Sequence, residues 1–386
     1  MTMASIRVLH VGKFYPPSRG GMEKVLQVLA EGERALGVDS RVLVSNEGPA
    51  TVTESVDGVP VTRVGTVKRV GSVALCPTFP LWLRRIDADV MVIHEPNPVA
   101  LVAHLLARPR APFIFFVHAE VVRPAWRFKV FYRPFLRRML RLASRVIVTS
   151  PRMIDIAEEL RPYRDKCVAV PLALDADQHA LTPALAPRVE ALRQERPEPM
   201  VLFVGRLVPY KGVDVLLRAL PDLTARAVIV GEGPLRGELE VLARDLGIAD
   251  RVRFAGNASG DELTALYHAC DLFALPSVTK AEAFGMVQLE AMSCRKPVIC
   301  TDLPSGVPWV NEHGVTGLVV PPRDVPAFAA ALQTLLEDPQ LRKTMGENGR
   351  ARVLREFSIP RMVAQTTGLY RVVSGRPIGQ PDALSV

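Results

Sequence analysis

Long apolar runs are missing from this chain. Stretches such as 112–117 and 287–292 fall far below the roughly 20 residues that a membrane-spanning helix requires, so no segment is expected to cross a bilayer. Residues 1–12 lack the long apolar core of a secretory signal and end in Ile6-Arg7-Val8-Leu9-His10-Val11, which reads as a first buried strand. Cysteine is scarce and scattered. Cys76, Cys167, Cys270, Cys294 and Cys300 are odd in number and include no CxxC pair, which argues against a disulfide framework and a zinc site and fits a reducing cytoplasm. Neither an internal repeat of short period nor a low-complexity tract is present.

What is present is the balance of a globular protein, 48% hydrophobic and 23% charged over 386 residues, enough chain for two domains with separate cores. The formal net charge of +8 implies attraction to something anionic. Charge alone leaves nucleic acid, lipid headgroups and phosphate-bearing substrates open. Short β-rich runs alternate with longer helical patterns from end to end, the pattern of parallel sheets covered by helices on both faces.

A first Rossmann-like α/β block has strands expected near 7–11, 40–45, 90–94, 113–118 and 145–149. A second has them at 200–204, 226–230, 252–255, 272–275, 297–301 and 317–320. Between them, 175–199 is rich in proline and charge (Thr182-Pro183, Ala186-Pro187, Arg196-Pro197-Glu198-Pro199) and reads as a surface connection and hinge. The expected domains are therefore 1–174 and 175–360, with 361–386 a helix returning to the first domain before a frayed tail. In open α/β sheets ligands bind outside the carboxyl ends of the strands, so chemistry is expected in a cleft between two such ends.

Four features at those ends carry chemistry. Gly20-Gly21 precedes the helical pattern 22–36, where freed backbone N–H groups at a helix N-terminus suit an anion, although a tight turn alone would also use glycines. Arg206 and Lys211 sit in one loop after the strand at 200–204. Arginine can fork onto a phosphate while lysine adds a point charge. Glu282 and Glu290 lie a little over two helical turns apart around Gly285, a spacing that lets two carboxylates hold the hydroxyls of one ligand, with the N–H groups of Gly285, Met286 and Val287 toward phosphate. His118 ends the run at 113–117, at a strand's carboxyl end, where it either reaches the cleft or bonds loop backbone.

The 282–290 segment, the Arg206 and Lys211 loop and Gly20-Gly21 together resemble the signature of glycosyltransferase family 4. Supporting segments at 230–234, 252–256, 266–271 and 314–322 are similar to the same family. The resemblance implies a GT-B fold, two doubly wound Rossmann-like domains facing across a cleft, and transfer of a sugar with retention of anomeric configuration. It further implies that Arg206 and Lys211 neutralise a diphosphate, that Glu282 touches the donor sugar and Glu290 the ribose, that Gly20 and Gly21 approach phosphate, and that His118 lies beside the transferred sugar. Arg253, Phe284, Gly285, Met286 and Val287 complete the expected donor site, and closure about 175–199 would exclude water.

Two short DxD matches, Asp87-Ala88-Asp89 and Asp175-Ala176-Asp177, read as structural, since Arg206 and Lys211 supply the charge a metal would bring. No metal and no cofactor is expected. The glycines of 231–237 make a poor dinucleotide fingerprint, which disfavours an oxidoreductase.

From 123 to 145 the chain carries Arg123, Arg127, Lys129, Arg133, Arg137, Arg138, Arg141 and Arg145 with no acidic residue, interleaved with apolar and aromatic side chains such as Trp126, Phe128, Phe135 and Leu136. This reads as an anionic-membrane contact, or as a helix packing on its own sheet with arginines in water. No nucleic-acid motif accompanies it. The membrane reading implies a lipid-linked glycan or glycolipid acceptor at the inner face of the cytoplasmic membrane. The segment 303–309 is similar to that of bacterial mannosyltransferases of surface polysaccharide assembly, which makes GDP-mannose the first-choice nucleotide-sugar donor. A UDP-sugar, or a sugar-nucleotide epimerase on the same fold, is the alternative.

Overall fold

The computed structural model describes residues 5–18, 20–71, 73–118 and 132–376. The chain divides into two compact units, one made of Met1–Ala173 with Ile359–Val386 and one of Leu174–Ser358.

In the first unit the strands are β1 (Arg7–Val11), β2 (Asp39–Ser45), β3 (Val52–Val56), β4 (Val59–Val64), β7 (Val90–Glu95), β8 (Phe113–Val117), β9 (Arg145–Val148) and β10 (Cys167–Ala169), with β5 (Lys68–Val70) and β6 (Val73–Leu75) as a separate hairpin. The main sheet runs β10-β9-β8-β7-β1-β2-β4-β3. Only β3 is antiparallel, joined to β4 through Asp57-Gly58. β1 pairs in parallel with β2 on one side and β7 on the other, so the strand order reverses there, and the crevice of a doubly wound sheet opens at that point.

Side chains alternate across the sheet. Leu9, Val11, Met91, Ile93, Phe113 and Phe115 enter one core with the helices Phe79–Arg85, Pro98–Ala107 and Arg133–Leu142. Each such burial contributes roughly 1.5–3 kcal/mol. The alternate positions, His10 and His94 among them, lie on the other face, with Gly21–Ala35 and the last helix, Ile359–Ser374. The tie between those helices is a 2.6 Å hydrogen bond from the Tyr370 hydroxyl to Glu33 Oε1.

The second unit holds β11 (Met200–Val204), β12 (Arg226–Val230), β13 (Val252–Gly256), β14 (Leu272–Leu275), β15 (Val298–Thr301) and β16 (Gly317–Val320), all parallel in the order β13-β12-β11-β14-β15-β16. Its order reverses at β11/β14. These strands match the expected ones to within a residue.

The stretch at 175–199 is not a loose connection. It contains the helix Ala186–Gln194, with Pro187 in its first turn, where a missing N–H costs no hydrogen bond. It is also fastened to the second unit. His179 Nδ1 lies 2.8 Å from Thr264 Oγ1, the His179 carbonyl 2.7 Å from His268 Nε2, and Arg350 reaches Asp177 at 3.1 Å. The chain passes between units at 173/174 and again at 358/359. No helix among the described residues is long and apolar enough to cross a membrane.

Candidate active site

In the second unit the site grows from the switch point. β11 ends at Val204, and a single 3-10 turn, Pro209–Lys211, leads to Gly212. Gly212 has φ 65°, and a Cβ there would fall 2.1 Å from the Pro276 carbonyl oxygen. Only glycine lets the loop after β11 approach the loop after β14 this closely. The Val278 amide donates to the Tyr210 carbonyl at 2.8 Å, closing the same junction.

The junction delivers Lys211 to Glu282. Nζ and Oε2 are 2.6 Å apart and each residue is 8% exposed. The Ser277 hydroxyl donates to the same Oε2 at 3.1 Å. A pair removed from water to this degree holds its geometry because either charge alone would be left uncompensated.

Gly285, at φ 73°, opens the helix Met286–Ser293, and a Cβ on it would meet Leu275 at 2.7 Å. The buried Gln288 amide donates to the carbonyls of Phe284 at 2.8 Å and Val307 at 3.2 Å, and the Gly306 amide donates to the Ala283 carbonyl at 2.8 Å. The turn before the helix is thereby fixed, and the first-turn amides of Met286 and Val287 have no intrahelical acceptor.

On that helix Glu290 Oε2 accepts a 2.6 Å hydrogen bond from the Tyr267 hydroxyl. Burial raises the Glu290 carboxyl above its usual range, against the pull of the Tyr267 bond. Burial first, then Glu290, pushes the Tyr267 hydroxyl well above its own, so it remains a donor. Arg206 is exposed, and its guanidinium has no partner among the described residues.

Two expected donor residues are placed otherwise. Arg253 is the second residue of β13, in the amino half of that strand, and pairs with Glu195 at 3.8 Å. It is not brought to the carboxyl ends. The Phe284 side chain is buried, its ring 6.4 Å from that of Trp309 and 6.1 Å from that of Phe357, so it serves the core and its carbonyl is held by Gln288.

In the first unit, Gly20 is the extended residue before Gly21–Ala35, and a Cβ on Gly21 would meet nothing within 4 Å. His118 follows β8 directly, is 7% exposed, and stands at the end of a buried row formed with His94, His10 and Glu33, none of which was expected at the site. His118 Nε2 lies 2.8 Å from His94 Nδ1, His94 Nε2 lies 3.0 Å from His10 Nδ1, and His10 Nε2 lies 2.7 Å from Glu33 Oε2. Burial holds the His94 and His118 imidazoles below their usual range, His118 at about 3. Sequence carried a signal for this: three of the seven histidines stand at or just past the carboxyl ends of adjacent strands.

The DxD matches have structural partners. Asp89 pairs with Arg7 at 2.9 Å, with Asp87 on the same guanidinium, and Arg7 lowers the Asp89 carboxyl. Asp177 binds Arg350, and Asp175 accepts the Asp177 amide at 3.0 Å.

Of the basic stretch, residues 123–131 lie outside the described residues. The rest includes Arg133–Leu142, whose Leu136, Met139 and Leu140 are buried in the first core. Arg133 binds Glu158 and Glu159, and Arg137 binds Glu159 at 2.7 Å. The guanidinium groups of Arg138 and Arg141 are exposed, without a partner among the described residues.

The model of the 4-like glycosyl transferase domain matches residues 20–173, and that of group 1 glycosyl transferases matches 189–352. The chain is 33% identical over 356 residues to the D-rhamnosyltransferase WbpZ of Pseudomonas aeruginosa, a match spanning 92% of each. It belongs to the family 4 glycosyltransferases. This glycosyltransferase is also 30% identical over 375 residues to the O-antigen chain mannosyltransferase C of Escherichia coli, covering 95% of this chain and 98% of that one. Its fold is that of Anabaena Alr3699/HepE, solved with UDP, at a TM-score of 0.75 and 23% identity over 95% of this chain and 100% of the other. The enzyme thus has the GT-B fold.

Proposed function

We propose that this glycosyltransferase moves mannose from GDP-mannose, with retention, onto a lipid-linked glycan or glycolipid acceptor at the inner face of the cytoplasmic membrane. The observation that carries the donor site is the buried Lys211–Glu282 pair beside the Gly285 helix start, with Arg206 free in the same loop. Breaking a glycosyl phosphate builds positive charge on the sugar and negative charge on the departing nucleotide, and fixed cations lower that barrier. In this reading Arg206 and Lys211 take the diphosphate, Glu282 the sugar, Glu290 the ribose, Gly20 and Gly21 a phosphate, and His118 faces the transferred sugar. The leaving phosphate assists attack on the same face of the ring.

Mannose is supported by the 303–309 segment and by the activity named for the E. coli relative. A polysaccharide or glycolipid acceptor agrees with that relative's O-antigen chain. Membrane docking is assigned to Arg138 and Arg141 with the exposed Phe135 and Leu142. Arg206 and Lys211 supply the charge a metal would bring, so EDTA should leave the rate unchanged.

The test is a donor screen. Purified enzyme is incubated with membrane lipid extract and each common UDP-, GDP- and dTDP-sugar, following nucleotide release, beside an Arg206→Ala control. Lipid-dependent GDP release from GDP-mannose, lost in the control, is expected. Release from a UDP-sugar would overturn the donor, and conversion of a nucleotide sugar without any acceptor would mean an epimerase.

A further inference from the structure

Three buried imidazoles in a row, closed by one carboxylate, are not required to hold a sheet together. His10 and Glu33 are 0% exposed, as are His94, Ser40 and Tyr370. Leu or Phe at the histidine positions would bury apolar area at no polar cost. The histidines lie on one face because each is stepped two residues along from its neighbour. His10 pairs with Val92 across β1 and β7, two before His94, and His94 pairs with Phe116 across β7 and β8, two before His118.

Hydrogen-bond polarity runs one way along this row. Glu33 Oε1 receives the Tyr370 hydroxyl at 2.6 Å, and Oε2 receives the Ser40 hydroxyl. Burial, then Glu33, holds the Tyr370 hydroxyl protonated and therefore donating. A carboxylate accepts only, and donors on both oxygens favour that form. His10 must then donate from Nε2, and as a neutral ring it keeps Nδ1 as an acceptor. That acceptor requires Nε2–H on His94, whose Nδ1 in turn requires Nε2–H on His118. A neutral imidazole has one donor and one acceptor, so the last nitrogen, His118 Nδ1, is left with a lone pair. It is buried and has no partner among the described residues.

We infer that Glu33, His10 and His94 are positioning residues that lock His118 as the neutral Nε2–H tautomer, so that its Nδ1 accepts a hydrogen bond from a substrate hydroxyl. The hydroxyl's identity rests on the reading that His118 faces the transferred sugar; the tautomer does not. A locked ring cannot donate from Nδ1 to a phosphate oxygen. It selects a ligand atom that carries a proton, which fits a sugar and not a second phosphate.

The tautomer is read directly from long-range proton–nitrogen correlation spectra of the full chain labelled with nitrogen-15 histidine, with His118 assigned through His118→Phe. Protonated Nε2 and bare Nδ1 on all three rings are expected, and a protonated Nδ1 on His118 overturns the inference. His94→Phe, stacked on Phe116 as His94 is at 5.4 Å, should leave His118 exchanging between tautomers. An unchanged His118 spectrum in that variant also overturns it. In transfer assays His94→Phe and His118→Phe should each lower kcat about 10- to 100-fold, with little change in donor KM and no further loss when combined. If the spectra are as expected and His118→Phe transfers normally, the tautomer lock stands and the placement of His118 beside the sugar falls.

Discussion

Lys211 and Glu282 form a contact that neither residue's local sequence contains: two oppositely charged groups 2.6 Å apart at the ends of different strands, with Ser277 on the same carboxylate oxygen. Breaking such a buried pair costs about 3–5 kcal/mol, because the surviving charge has lost its opposite charge. Lys211→Met should lower urea-unfolding stability by that order and abolish transfer. Adding Glu282→Gln should restore most of the stability and none of the activity. A double variant as unstable as the single one would mean that the pair is not what holds the junction.

Arg206 is the contrasting case. It is exposed and has no partner among the described residues to strand, so Arg206→Ala should leave stability within about 0.5 kcal/mol while removing about 100-fold or more of kcat. Arg206→Lys should recover only part of this, since a point charge cannot fork onto two oxygens. Parallel melting curves and steady-state rates separate the two effects, and a large loss of stability in Arg206→Ala would contradict an exposed, unpartnered guanidinium.

Acid should weaken the first unit through its histidines. Burial lowers His94, His118 (to about 3) and His104 (to about 4). A lowered folded pKa means that the unfolded chain binds more protons as pH falls below 6.5, so stability drops by about 1.4 kcal/mol per pH unit for each such group. Glu95, raised by burial to about 8, has the opposite sign: its contribution is full below 4.5 and is lost as pH rises through 8. His104 has neither ring nitrogen satisfied among the described residues and lies 4.4 Å, ring to ring, from Phe113. His104→Phe should therefore gain about 1–3 kcal/mol at neutral pH and flatten the acid slope by one proton, as read from urea titrations between pH 4 and 8.

Membrane attachment makes a prediction that distinguishes neighbouring arginines. Arg138→Glu with Arg141→Glu should reduce sedimentation with anionic liposomes and leave donor binding unchanged. Arg137→Glu should act mainly on the fold, because Arg137 already serves Glu159. Equal liposome loss from all three would show general charge at work instead of a defined surface.

Much of this was legible in the sequence because parallel strands buried on both faces leave unmistakable apolar runs, and β11, β12, β14 and β15 of the second unit are of that kind, while its edge strands β13 and β16 are only partly buried. The β3–β4 hairpin was not among the expected strands, because β3 is largely exposed and carries no apolar run, although Asp57-Gly58 is a hairpin turn pair. Arg253 was expected at the donor site from the family resemblance alone, whereas only the carboxyl end of a strand faces the crevice and Arg253 sits near the other. Phe284 lies in the loop before Gly285 with its side chain turned into the core. The histidine row was visible as residue types and not as a row, since strand order and register, which bring 10, 94 and 118 together, are not local properties of the chain.

The last helix has a consequence for how the protein is made. Leu174–Ser358 is continuous and can close on itself as soon as it has left the ribosome. The first unit waits, because Tyr370, which donates to Glu33 Oε1, is synthesised only after the whole of Leu174–Ser358. Until then the oldest half of the chain carries an unfinished carboxylate under its sheet, and the enzyme's N-terminal half reaches its final form only after its C-terminal half.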